Sequence, residues 1–184
     1  MNKFRPVAWQ AKVTLFQSQC SSLYGCHLWR LDDPAVNELC TTWKVCSRKI
    51  LGLNKQTRSY LLPHIMGTLP IQDIIMSRML NFFVIGLNHD SNIISDFFKN
   101  TLISNSSYML TNVNTILEKF KIHYHDLFNL QKSHIKKIIK NFNDEPDWRS
   151  NLVKELLCMR EKQCSSNFSI DQINDTLYYV STYR

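Results

Sequence analysis

A helix that is apolar on almost every side cannot present any of its faces to water, so other elements must surround it. The stretch that begins near Pro70 has this character: Ile71, Ile74, Ile75, Met79, Leu80, Phe82, Phe83 and Val84 leave no room for a polar stripe. A helix of this kind belongs at the centre of a core, and the rest of the chain must supply amphipathic partners for it. Its misfit is Arg78, which lies in an apolar sector between Ile71, Ile74, Ile75 and Phe82. An arginine placed there must snorkel, find a buried acceptor or emerge at a ligand.

Candidate partners lie on both sides. From Pro6 to Tyr24, the residues Trp9, Val13, Phe16, Cys20 and Leu23 recur at helical spacing, with Pro6 suited to a first position and Gly25 to a stop. A short extended or turning link, Tyr24 to Trp29, follows. Asp32-Asp33-Pro34 then reads as a helix start, with an acceptor at the cap, carboxylate charge at the positive end of the helix and proline in the first turn. Val36, Leu39, Cys40, Trp43, Cys46 and Ile50 form its apolar stripe, closed by Gly52. Residues 54–66 read as a connector with a short helical turn broken by Pro63. After a break at Asn88–Ser91, a helix is expected from about Asn92 to Ile103. Another, capped by Asn105-Ser106-Ser107, carries Leu110, Val113, Leu117 and Phe120. A basic amphipathic helix from Lys132 to Phe142 sets Ile135, Ile138, Ile139 and Phe142 against Lys136, Lys137 and Lys140.

Proline, acidity and a charge shift coincide at Asn143–Asp147, the best boundary in the chain. Beyond it, Trp148, Leu152 and Leu156 suggest one helix, and a Ser169-x-x-Gln172 capping box opens another through Ile173, Leu177 and Val180. With only four glycines in 184 residues, turn-rich sandwiches and Gly-rich phosphate loops are out of reach. The expected fold is all-α, an irregular multi-helix bundle of seven or eight helices with little or no strand. A helical domain is expected over 1–143 and a short acidic helical segment over 144–184.

Charge is unevenly divided between these parts. Residues 1–143 hold 17 Lys/Arg against 8 Asp/Glu, and residues 144–184 hold 5 against 7. A basic body with a mildly acidic tail suggests that the body meets a polyanion, most commonly nucleic acid. From Cys40 to Gln72 the chain contains Lys44, Arg48, Lys49, Lys55 and Arg58, with His64, and not one acid. Lys44 and Arg48 lie one turn apart and are expected opposite the Val36/Trp43 stripe, within reach of a phosphate backbone. A solvated face that binds nothing would look the same. A second run from Lys119 to Lys140 has Lys119, Lys121, Lys132, Lys136, Lys137 and Lys140 against Asp126 alone. It suits point-charge contacts or plain solubility.

Catalytic and metal chemistry finds no frame in this sequence. Asp32-Asp33 precedes Pro34 in a helix start, whereas polymerase aspartate pairs need a strand–turn–strand setting. The cysteines at 20, 26, 40, 46, 158 and 164 fall in three pairs with five residues between members, which matches no zinc spacing. They read as small buried hydrophobes. His123-x-His125 is at best a weak metal pair. No P-loop, Gly-x-Ser-x-Gly or Cys–His arrangement is present. No metal or cofactor is expected. The N-terminus lacks the apolar core of a signal peptide, and Met79–Leu87 is too short to span a bilayer. A cytoplasmic or nuclear location is therefore expected, with thiols reduced.

The order of these pieces resembles a known family. Leu15-Phe16 through Ser22-Leu23-Tyr24-Gly25-Cys26-His27-Leu28-Trp29 is similar to the Leu-Phe…Ser-x-x-Tyr-Gly-x-x-Leu-Trp segment that follows the polymerase core of LINE-type, non-LTR retrotransposon reverse transcriptases. Leu39…Trp43-Lys44…Arg48-Lys49-Ile50-Leu51-Gly52-Leu53…Thr57…Leu61-Leu62-Pro63 resembles the helical thumb of that family. Arg78-x-x-x-Phe82, Ser106/Ser107 to Asn112, and Glu155-Leu156-Leu157…Arg160 also fit. The resemblance runs from about residue 4 to 182 and is most specific between 15 and 62; Arg58 stands where the family usually has histidine. It implies a truncated, non-catalytic piece of an RNA-directed DNA polymerase, with the palm and its metal-binding aspartates expected upstream of this chain. It implies an RNA or RNA–DNA duplex as partner, gripped without sequence choice by Lys44, Arg48, Lys49, Lys55 and Arg58 with Arg78 behind them. Lys132, Lys136, Lys137 and Lys140 form the secondary basic face, and self-association through apolar surface left bare is also expected. The alternative is an α-helical protein-interaction module with no nucleic-acid role.

Overall fold

The computed structural model describes residues 9–20, 22–104, 107–143 and 154. Among them run seven α-helices: α1 (Trp9–Cys20), α2 (Pro34–Leu51), α3 (Leu61–Met66), α4 (Ile71–Leu87), α5 (Asn92–Ile103), α6 (Tyr108–Phe120) and α7 (Lys132–Asn143). Short 3-10 turns occur at Cys26–Leu28 and Tyr124–Asn129, and no strand is present among the described residues. The chain is all-α, a multi-helix bundle. The helices expected around Trp148 and after Ser169, with the 144–184 segment apart from Lys154, lie outside the described residues. Two compact units share the chain: α1, the later turns of α2 and α3 belong to the first, and the Cys26 turn, the opening turns of α2 and α4–α7 to the second.

In the second unit α4 takes the central position that its all-round apolarity requires. The Cys26–Leu28 turn, α5, α6, α7 and the Tyr124–Asn129 turn all pack on it. Ile71, Ile75, Met76, Met79, Leu80, Phe83, Val84 and Leu87 are buried, and each fully buried side chain of this size contributes about 1.5–3 kcal/mol. Gly86 lets α5 approach closely: a Cβ at that position would lie 2.3 Å from the Phe98 ring. Phe98 in turn meets the edges or faces of Phe82, Phe83 and Phe97 at centroid distances of 5.4–5.5 Å. Around α4, Leu110, Val113, Ile116, Leu117 and Phe120 of α6 and Ile135 and Ile139 of α7 complete the core. Two polar ties cross it. Buried Asp73, in the first turn of α4, pairs with Lys119 of α6. Asn112 of α6 accepts the Leu31 N–H at 3.0 Å and donates to the Trp29 carbonyl at 2.7 Å.

Helices α1, α2 and α3 depart from the expected stripes. On α1, Val13 is buried and Phe16 half-buried, but Cys20 is exposed. The half-buried Gln17 side chain donates to the Met66 carbonyl at 3.1 Å, so the contact face runs through positions 13, 16 and 17, and Cys20 falls off its end. On α2 the buried line is Val36, Cys40, Trp43, Ser47 and Leu51, while Cys46 and Ile50 are only half-buried. Ser47 can lie in it because its hydroxyl donates to the Trp43 carbonyl at 2.7 Å, which removes the penalty of burying a polar group. Asp33 caps α2 as expected, its Oδ1 accepting the Ala35 N–H at 2.8 Å ahead of Pro34. Pro63 does not break α3. It occupies the first turn, where a missing N–H leaves no hydrogen bond unmade. Gly67, at φ 61°, closes that helix by bonding Gly67 N–H to the His64 carbonyl and Thr68 N–H to the Pro63 carbonyl.

Candidate nucleic-acid interface

The cluster expected to grip phosphate is only partly placed to do so. Successive residues of a helix turn by about 100°, so the buried line through Trp43, Ser47 and Leu51 puts Lys44 on its flank and Arg48 little further round. Both are half-buried and neither points opposite the stripe. Arg48 is already engaged: Nε and Nη2 donate to the Thr57 carbonyl at 3.1 and 2.7 Å, and Nη2 donates to the Ser59 hydroxyl at 2.8 Å. Thr57 is 1% exposed, so the guanidinium satisfies a carbonyl that lies beside a buried side chain and pins the 54–60 connector to α2. Arg48, expected among the phosphate contacts, thus already has two acceptors within the chain. Lys49, Lys55 and Arg58 are exposed, with Lys49 on the side of α2 turned away from the buried line. Among the described residues no carboxylate lies within ion-pair distance of Lys44, Lys49 or Lys55.

Arg78 belongs to the second unit and resolves its misfit by finding acceptors. Its Nη1 donates to the carbonyl oxygens of Ser22 and Leu23, the latter at 3.2 Å. Leu23 stands in the left-handed region at φ 44°, a conformation that costs a non-glycine residue about 1–2 kcal/mol. The arginine holds that turn against α4. Its guanidinium also bonds to the Cys26 thiol, whose pKa is pushed up by burial and drawn partly back by the arginine. Arg78, expected behind the phosphate contacts, thus clamps the 22–26 turn.

The better-formed basic surface is the one assigned second rank from sequence. On α7, Ile135 and Ile139 are fully buried, and that anchor turns Lys132, Lys136, Lys137 and Lys140 outward, all exposed. Lys132, Lys136 and Lys140 follow one another at about 6 Å of axial rise per step, with Lys137 beside them. One phosphodiester strand can meet several of them at once. Among the described residues none has a carboxylate at ion-pair distance, and Asp126, the described acid nearest in sequence, faces His125 at 3.1 Å. Lys121, exposed at φ 54°, stands at the end of α6. Lys119, counted with this run from sequence, does not belong to it: it turns inward to Asp73 and passes 5.3 Å from the Phe120 ring centroid. The signal that could have found this pair was Asp73 itself, a carboxylate in the first turn of an otherwise apolar helix that needs a cation brought to it.

Other chemistry-bearing groups are accounted for locally. Asp32 accepts from Arg30 at 2.7 and 3.1 Å, and the guanidinium holds its carboxyl below the usual carboxylate range. A cavity of about 540 Å³ is lined by Leu28, Trp29, Arg30, Asp33, Ala35, Val36 and Leu39, and both of its charged members are those already engaged. His123 and His125 stack at 5.5 Å, and among the described residues no three His, Cys, Asp or Glu side chains are placed to hold a metal ion. Cys26 and Cys40 are buried as small apolar residues, Cys46 is half-buried and Cys20 exposed, and none of the four is in a disulfide. Cys158 and Cys164 lie outside the described residues. Among the described residues no helix is long and apolar enough to cross a membrane. No protein family, curated protein or solved structure matches the chain.

Proposed function

We propose that the chain is a non-catalytic nucleic-acid-gripping module, derived from the thumb and C-terminal extension of a LINE-type reverse transcriptase. In this reading it holds RNA or an RNA–DNA duplex through phosphates, without reading bases, in the cytoplasm or nucleus. The observation that carries the reading is the α7 face, where four exposed lysines, with no carboxylate at ion-pair distance among the described residues, are set on a helix whose other side is locked into the core. Lysine on a fixed helix supplies point charges that any phosphate backbone satisfies, and it carries no base-specific fork of donors. Lys49, Lys55 and Arg58 provide a second exposed set in the other unit. The ordered resemblance over residues 15–62 adds the family.

Retention on an immobilised RNA–DNA duplex tests this reading. The full chain is expected to elute above physiological salt, and the Lys136→Glu, Lys137→Glu, Lys140→Glu triple variant is expected to elute early with an unchanged circular-dichroism spectrum. Elution of the parent chain with a neutral control would replace this reading with the rival one, a helical protein-interaction module. The apolar residues on the outer side of α5, Ile93 and Phe97, are the feature that favours that rival.

A further inference from the structure

The strap that joins α6 to α7 carries a cluster of exposed rings. The Phe120 ring meets the Phe142 ring edge to face at a centroid distance of 5.3 Å, so the chain leaves α6 beside the C-terminal end of α7. It must then return to Lys132, where α7 begins, through residues 121–131. The strap therefore covers the length of α7, about 18 Å for its twelve residues. Its Tyr124–Asn129 turn packs on α4, as α7 does, and Leu127 is its fully buried anchor. In a 3-10 turn, side chains three residues apart eclipse one another, so His125 and Phe128 share one flank about 6 Å apart along the axis, and Leu127 takes another. Phe128 is 46% exposed and the His125 side chain 80%. The exposed His123 ring lies nearly parallel to that of His125, at 15° and 5.5 Å. His125 meets Asp126 through Nε2 at 3.1 Å, a contact at the edge of the ring and not over its face.

We propose that His125 and Phe128, with His123 behind them, stack the bases of unpaired nucleotides that run on from a duplex held at α7; the inference rests on the duplex grip proposed above. Charge and ring chemistry together select this occupant. Exposed Lys121 precedes the rings and exposed Lys132 follows them, so a strand crossing the strap meets a cation at each end for its phosphates. The strap's one acid, Asp126, is turned to His125. Every base has a π-face, so stacking on rings tolerates any sequence, as a grip without base reading requires. Inside a duplex those faces are covered by neighbouring base pairs, and only splayed, single-stranded bases can reach aromatic side chains. The lysines of α7 thus take phosphates from either form, and the rings distinguish an unpaired extension from a blunt end.

Fluorescence anisotropy with the full chain compares a blunt RNA–DNA duplex, the same duplex with about five unpaired nucleotides at one end, and that extension made abasic. The complete extension is expected to tighten binding about tenfold, and the abasic one, equal in charge, to add far less. Phe128→Leu, which keeps an apolar side chain in place, and His125→Ala are each expected to remove most of the gain without changing blunt-duplex affinity. Phe128→Trp is expected to keep the gain. Thermal melts of the variants serve as the folding control. An extension that adds nothing, an abasic one as good as the complete one, or a gain indifferent to both Phe128→Leu and His125→Ala would overturn the ring platform and leave the duplex grip standing. Binding of a free single strand that is lost with Phe128→Leu, without any binding of the blunt duplex, would keep the platform and overturn the duplex grip. Binding of neither would overturn both.

Discussion

Asn112 joins residues far apart in sequence through both ends of one amide, and Asn112→Asp perturbs it with little change of shape. The side chain is 6% exposed; its oxygen accepts from Leu31 N–H at 3.0 Å and its nitrogen donates to the Trp29 carbonyl at 2.7 Å. Aspartate keeps the acceptor, removes the donor and sets a charged oxygen against the Trp29 carbonyl. Alanine removes both bonds. A net hydrogen bond is worth about 1 kcal/mol, and a buried group left unpaired costs about 1–3 kcal/mol, so Asn112→Ala should lose about 2–4 kcal/mol. At about 2–4 °C per kcal/mol for a chain of this size, that is a drop of roughly 4–16 °C in melting temperature. Asn112→Asp should lose at least as much at pH 7. Protonation would give its carboxyl a hydroxyl that can donate to the Trp29 carbonyl, so the folded state raises its pKa above the unfolded value. The sign follows from linkage: the deficit is present above the folded pKa and shrinks as pH falls through it. Thermal melts of the variant and the parent, compared at each pH from 7 downward, measure this. An Asn112→Asp protein as stable as the parent at pH 7, or a deficit that grows on acidification, would refute the reasoning.

Two further outcomes follow from the same core. Gly86→Ala should destabilise the protein by about 1–2 kcal/mol, because overpacking against Phe98 outweighs the roughly 1 kcal/mol gained in helix propensity; chemical denaturation checks this, and Phe98→Leu on the same background should recover part of the loss. Lys119→Met leaves the carboxylate of Asp73, 2% exposed, unpaired and should lose about 3–5 kcal/mol, while Lys119→Met with Asp73→Leu should recover most of it in the same assay.

The helices were legible because their signals are local. The all-round apolar run after Pro70, the Asp33-Pro34 start of α2 and the Ile135/Ile139 against Lys136/Lys140 division of α7 each depend on residues within a few turns of one another. What was not legible depended on distant chain. A half-buried arginine on α2 looks like a phosphate ligand until the Thr57 carbonyl is brought to it. Arg78 looks like an anomaly until the Ser22–Leu23 turn arrives from 55 or more residues away. Lys119 reads as one more surface lysine until α4 delivers Asp73. Ser47, a polar residue, takes a place on the buried line of α2 that periodicity gives to Cys46 and Ile50, because periodicity weighs side-chain polarity and not the bond that satisfies it. Absence of acids in sequence therefore says less about a basic run than the partners the fold brings to it.

The salt dependence of binding tests the central claim most directly. Affinity for a short RNA–DNA duplex is measured across a series of salt concentrations for the parent chain and for Lys136→Gln, Lys137→Gln, Lys140→Gln. Each phosphate contact contributes about 0.7–0.9 to the slope of log K against log salt, so the triple variant should bind more weakly with a slope shallower by about 2–3. A slope and affinity equal to the parent's, in a variant that melts at the parent's temperature, would contradict the account.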